Sequence, residues 1–182
     1  NILKKWFLIK NKSLIWRMNS KAYFFTDDGI IPNNALPIIL YPNVIDLADC
    51  SDWLEKTFIK NNWLNNWRDI VLPYDHFHSN THEVLGLGWG NVSLKIGGAN
   101  GQVFHLVAGD VVIIPAGVGH YSVSEHTNYQ MVGGYPNGLD WDLKTGLEPG
   151  ERAQILQAIS EVKLPEKDPI FGEGGLLFDK WK

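Results

Sequence analysis

Between Ile70 and Tyr135 the chain is a series of short apolar runs cut apart by glycine, and this pattern restricts the fold more than any other feature. Asn91-Val-Ser-Leu-Lys-Ile96 alternates polar with apolar residues, as a half-buried strand does, because successive side chains leave opposite faces. Gly97-Gly-Ala-Asn-Gly101 then reads as a hairpin loop, and Val103–Val107, Val111–Ile114, His120–Val123 and Tyr129–Val132 continue the series. No helix-length segment separates these runs, which excludes alternating β and α units and leaves a sandwich or a barrel. The expected fold class is all-β, a closed jelly-roll barrel with its core at about residues 70–136.

The flanks carry less regular signals. Lys21-Ala-Tyr-Phe-Phe25 and the proline-punctuated run from Pro32 to Pro42 read as an extended N-terminal arm. Such an arm can pair with a sheet edge, and across two subunits it would make a homodimer. Trp53, Leu54, Phe58 and Ile59 recur at helical spacing, predicting a short helix over 49–62 capped by Asp49 or Ser51 and ended by an asparagine-rich turn at 61–66. A second short helix is predicted from Pro149 to Val162. The tail beyond it holds Phe171, Leu176, Leu177, Phe178 and Trp181, too apolar to stay in water, so it is expected to cover the barrel or a neighbouring subunit. The 182 residues fit one domain, taken as 18–182, with 1–17 as an extension outside it.

Charge and cysteine usage exclude several classes. The net charge of −4, with basic residues concentrated only in the first seventeen positions, offers no field for nucleic acid. No apolar run approaches the ~20 residues that span a bilayer, and Trp6–Ile9 is too short for a signal-peptide core, so no membrane partner is expected. The single Cys50 cannot close an internal disulfide, which fits a buried thiol in a reducing, cytoplasmic compartment. There the sequons at Asn11 and Asn91 carry no sugar.

The chemistry concentrates in Tyr74-Asp-His76-Phe-His78-Ser-Asn-Thr-His82-Glu83. On a strand His76 and His78 share one face, and imidazoles converging there suit Fe, Mn, Ni, Cu or Zn. Ser79-Asn80-Thr81 can turn the chain so that Glu83 approaches from the next strand, and His120, after the turn Pro115–Gly119, is the best-placed fourth ligand. A histidine pair by itself is more often solvated than metal-bound. His82 and Glu83 would point to opposite faces of a strand, so both can hardly ligate one ion. Gly86-Leu-Gly-Trp-Gly90 continues into a strand, not a helix that could hold a pyrophosphate, so it is not a nucleotide loop.

These residues resemble the two motifs of the cupin superfamily. His76-x-His78-x4-Glu83-x6-Gly90 matches the first and Gly109-x5-Pro115-x-Gly117-x2-His120 the second, with eighteen residues between them; Ser124 stands where the second motif usually ends in Asn. The stretches Thr26–Asn34, His76–Glu83, Gly109–Gly117 and Gly134–Gly138 look like a family of bacterial single-domain cupins of uncharacterised function, over about residues 18–182. The resemblance implies a double-stranded β-helix with an N-terminal arm and two short flanking helices. It also implies one divalent ion (Fe, Mn, Ni or Zn) on His76, His78, Glu83 and His120, with coordination positions left open. The expected function is a metal-dependent enzyme of dioxygenase or isomerase type acting on a small organic molecule; the alternative is a non-catalytic ligand-binding or sensor barrel. His82 is expected to support the ligands, and Tyr74, Trp89, Tyr121 and Gln130 to line the pocket. His105, His126, Asp140 and Asp142 are expected to be structural or solvated.

Overall fold

Among the described residues eight strands and three helices follow one another as β1 (Lys21–Phe25), β2 (Asn34–Tyr41), α1 (Ser51–Lys60), β3 (Trp63–Asp69), β4 (Glu83–Ile96), β5 (Gln102–Val107), β6 (Val111–Ile114), β7 (His120–Ser122), β8 (Tyr129–Pro136), α2 (Arg152–Glu161) and α3 (Leu177–Lys180). The computed structural model describes residues 19–125, 127–148 and 150–182; the extension 1–17, His126 and the expected helix start at Pro149 lie outside the described residues. All strand pairs are antiparallel, running β1-β2-β6-β4-β8-β3, with β5 and β7 also joined to β4. The long β4 changes neighbours part-way: Glu83–Gly90 lies between β6 and β8, and Asn91–Ile96 between β5 and β7. It bends at a bulge between Leu87 and Trp89 and at Gly90, whose φ of 83° a side chain would resist. The result is the all-β jelly roll expected.

The glycine run in β4 has a packing reason. Leu85 and Leu87 fill the barrel interior with Ile38, Val112 and Met131, while Gly86 and Gly88 face α1. A Cβ on Gly86 would lie 3.0 Å from both Leu54 and Phe58, and one on Gly88 only 2.1 Å from the Ser51 hydroxyl. The helix therefore lies flat on the sheet, and Leu54 and Phe58 are buried against Val84, Ile113 and Val132. Each such side chain contributes about 1.5–3 kcal/mol of hydrophobic stabilisation. The tail joins this outer layer: Leu177 and Trp181 are buried in it, and the Trp181 indole donates to the Pro37 carbonyl at 2.9 Å. At one end Ile155 and Ile159 of α2 pack on Ile31, Phe77 and Ala116.

The arm pairs with a sheet edge as expected: β2 joins β1 and β6 of its own chain. Two expectations change. The asparagine-rich stretch is mostly strand, since β3 starts at Trp63; Asn62 and Asn65 take positive φ (63° and 54°), which asparagine tolerates, at its entry and beside its bulge. The described helices number three, because the apolar tail adds α3.

Candidate metal centre

The segment carrying His76 and His78 is clamped on both sides. The backbones of His76 and His120 exchange hydrogen bonds of 3.3 and 2.9 Å, and those of Phe77 and Lys144 exchange bonds of 2.8 and 3.0 Å. Alternation along this segment sends His76 and His78 towards the barrel interior and Phe77 into the α2 cluster. His120 opens β7, and Glu83 opens β4 on the same inward face as Leu85. Ring nitrogens of His76, His78 and His120 lie within 4.8 Å of one another, all three side chains being buried.

The orientation of the rings follows from their outer nitrogens. Nδ1 of His76 lies 3.0 Å from the Tyr74 carbonyl, that of His78 2.5 Å from the Asp142 carbonyl, and that of His120 3.1 Å from the Val118 carbonyl. A carbonyl can only accept, so each Nδ1 carries the proton and each neutral ring is left with a lone pair on Nε2. Backbone carbonyls fixing the tautomer in this way are the usual support behind metal-binding histidines.

Glu83 completes the set. Its Oε1 accepts from the Tyr135 hydroxyl at 2.9 Å, and that hydroxyl accepts from the Trp67 indole at 3.0 Å. Its Oε2 is fully buried without a hydrogen-bond partner, 3.1 Å from Nε2 of His120 and 3.3 Å from Nε2 of His78. Donor atoms bound to one ion at about 2.1 Å lie roughly 3 Å apart when adjacent, so these separations fit a shared cation. Burial pushes the Glu83 carboxyl up, but the positive charge that the His78 and His120 rings carry when protonated at Nε2 outweighs it and holds the group well below the usual carboxylate range; a bound cation would take the place of those protons. Burial likewise pulls His78 down, and the Glu83 charge outweighs it and raises the ring. His76, buried and next to His120, is pulled down to about 3 and stays neutral. Lone pairs and a buried anion aimed at one point call for a cation, and a divalent metal fits these residues.

A cavity of about 310 Å³ opens over these four side chains. Trp67, Val71, Leu85 and Leu143 line its walls, Tyr135 and Trp141 stand beside His78, and Asn65 and Asp69 lie at its exposed mouth. The Trp141 ring centroid is 5.4 Å from that of His78.

YjlB of Bacillus subtilis (strain 168), an uncharacterised protein, is 38% identical to the chain over 163 residues, 89% of this chain and 96% of that protein. The chain belongs to the YjlB family. No family model matches it. Among solved structures, acireductone dioxygenase from Bacillus anthracis, with a cadmium ion in its active centre, aligns at a TM-score of 0.38 and 12% identity over 73% of this chain and 86% of that one. A variant of oxalate decarboxylase from Bacillus subtilis aligns at 0.38 and 18% identity over 65% of this chain, which spans 30% of that chain's length.

The remaining expected site residues lie away from the cavity. His82 points to the other side of the sheet, where its Nδ1 accepts the Ala116 N–H at 3.0 Å and its ring packs on Trp181 at 4.7 Å. Trp89 and Gln130 are paired where β4 bends, and Tyr121 sits between the inward His120 and Ser122, so alternation turns it outward. Tyr74 is 44% exposed and touches the centre only through its carbonyl and the edge of His76. Asp140 and Asp142 serve the loop: Asp142 accepts from the Ser79 N–H and hydroxyl at 2.7 and 2.5 Å, and the Asp140 carbonyl accepts from Asn80 at 3.0 Å. His105 hydrogen-bonds Ser93 on the exposed face of β5. Sequence reasoning missed Tyr135, Trp67 and Trp141, because the loop that brings Asp142 to His78 closes over 64 positions. The one available signal was the Gly134–Gly138 stretch around Tyr135.

Proposed function

We propose that this cupin is a metal-dependent enzyme of dioxygenase or isomerase type acting on a small organic molecule, with one divalent ion on His76, His78, His120 and Glu83. The observation that carries the proposal is the set of three rings, each giving Nδ1–H to a backbone carbonyl, gathered around a buried carboxylate oxygen without a hydrogen bond. An ion held there supplies a Lewis acid for a substrate oxygen or, if redox-active, a place for O2. The protein holds a proton on the Tyr135 hydroxyl against Glu83, and Trp67, Leu85 and Trp141 keep water from the substrate side. Four protein donors would close a tetrahedral site, whereas an ion that takes six donors would keep two positions for substrate and water.

The test is elemental analysis of protein purified without added metal salts, followed by O2 consumption and product analysis against a panel of small carbonyl and hydroxy compounds. About one divalent ion per chain and turnover of a panel member are expected. Zinc with no O2 uptake would leave only the isomerase form, and failure to hold any metal would remove the function.

A further inference from the structure

Among the described residues the cavity above the histidines has no Lys or Arg in its lining; its carboxylates are Glu83 at the floor and Asp69 at the mouth. Between them stand Trp67, Val71, Leu143 and Trp141. A second carboxylate on a substrate would be desolvated against apolar walls, or would meet Asp69, with no Arg or Lys to compensate. An apolar body loses nothing there and gains burial. Trp141 is 46% exposed, yet its loop is fixed where the Asp142 N–H donates to the Asn80 side chain at 3.1 Å and the Asp142 carboxylate accepts from Ser79. Its ring also lies at 27° to that of Tyr135, so it forms a placed wall.

Resting on the metal reading above, we infer that the substrate class is a small molecule with one metal-binding anionic head and an uncharged, apolar body. The lining discriminates against a second anionic group: the metal is the one positive element in the pocket, and Asp69 repels whatever anion lies distal to it.

A matched pair of 2-oxo acids tests this class. Alpha-ketoisocaproate and alpha-ketoglutarate share a chelating head and differ in the distal group, isopropyl in one and carboxymethyl in the other. The full chain is loaded with cobalt(II), its metal content is measured, and each probe is titrated by calorimetry and by the visible cobalt spectrum. Alpha-ketoisocaproate is expected to bind at least about tenfold tighter. Asp69→Asn should narrow that ratio, and Trp141→Ala should weaken alpha-ketoisocaproate several-fold, both with cobalt content unchanged. Equal or tighter binding of alpha-ketoglutarate, or binding of neither probe by cobalt-loaded protein, overturns the substrate class and leaves the metal centre standing. A chain that takes up no cobalt overturns the metal reading, and the substrate class with it, before any probe is added.

Discussion

His82 and Glu83 are neighbours in the chain and lie on opposite sides of the sheet, and the two sides treat buried polar groups differently. On the outer side His82 accepts a backbone N–H through Nδ1, so its Nε2 carries the proton and the ring is packed under Trp181. On the inner side His76, His78 and His120 have the opposite tautomer, with protons on Nδ1 and Nε2 turned into the site, those of His78 and His120 beside Glu83. The outer layer is covered by α1 and the tail, whereas the inner site opens into the cavity above the histidines. One residue type thus does packing work on one face and binding work on the other, through which ring nitrogen the backbone engages. If the faces are separate, substitutions on each should read out separately.

The largest expected effect is on the inner face. His78→Ala should abolish metal binding, measured by elemental analysis, while the metal-free protein keeps its circular dichroism and denaturant midpoint. Retained metal would break the ligand assignment. On the outer face Phe58→Ala, which opens a hole between α1 and β4, should cost about 3–5 kcal/mol by urea unfolding and leave metal per folded chain unchanged. Loss of metal from folded Phe58→Ala protein would show the faces to be coupled.

Acid should act on the outer histidine. Burial pulls His82 from 6.5 down to about 4, opposed only by the Lys163 backbone. Because the folded value lies below the unfolded one, the unfolded chain binds the extra proton between these values. The stability is therefore complete above pH 6.5 and lost as pH falls towards 4, on the order of 3 kcal/mol in all. Urea midpoints of metal-free protein across this window should fall with pH, and His82→Gln should reduce that slope, leaving the part that His76 contributes. An unchanged slope would mean that His82 does not titrate with unfolding.

The strands other than β3, and the inward placement of His76, His78, Glu83 and His120, were legible in the sequence, because period-two alternation and fixed spacings are local properties of the chain. Alternation also separated His82 from Glu83 correctly, since it depends on parity alone. The pocket wall was not legible. Trp67 and Tyr135 meet only because β3 pairs with β8, and Trp141 reaches His78 through a loop that no local pattern announces. Trp89 and Tyr121 were expected in that wall for their size, but side-chain parity and the bend at Gly90 turn them elsewhere. The arm was read as extended, yet its partner, β6, is some seventy positions away and became visible only with the sheet.

The smallest effect should come from the residue that ties the wall to the metal. Burial and the neighbouring Glu83 charge push the Tyr135 hydroxyl far above its ordinary range, so it remains a donor at any working pH. It holds Oε1 and leaves Oε2 facing the rings. Tyr135→Phe removes that donor and the acceptor of the Trp67 indole, so metal affinity should fall about tenfold, as for other supporting groups behind a ligand. His82→Gln, behind the same strand but on the covered side, should leave the affinity unmoved. Competition with a chelator measures both. If Tyr135→Phe binds metal as tightly as the parent, Glu83 is oriented by its place at the start of β4, and the inner face is set by backbone alone.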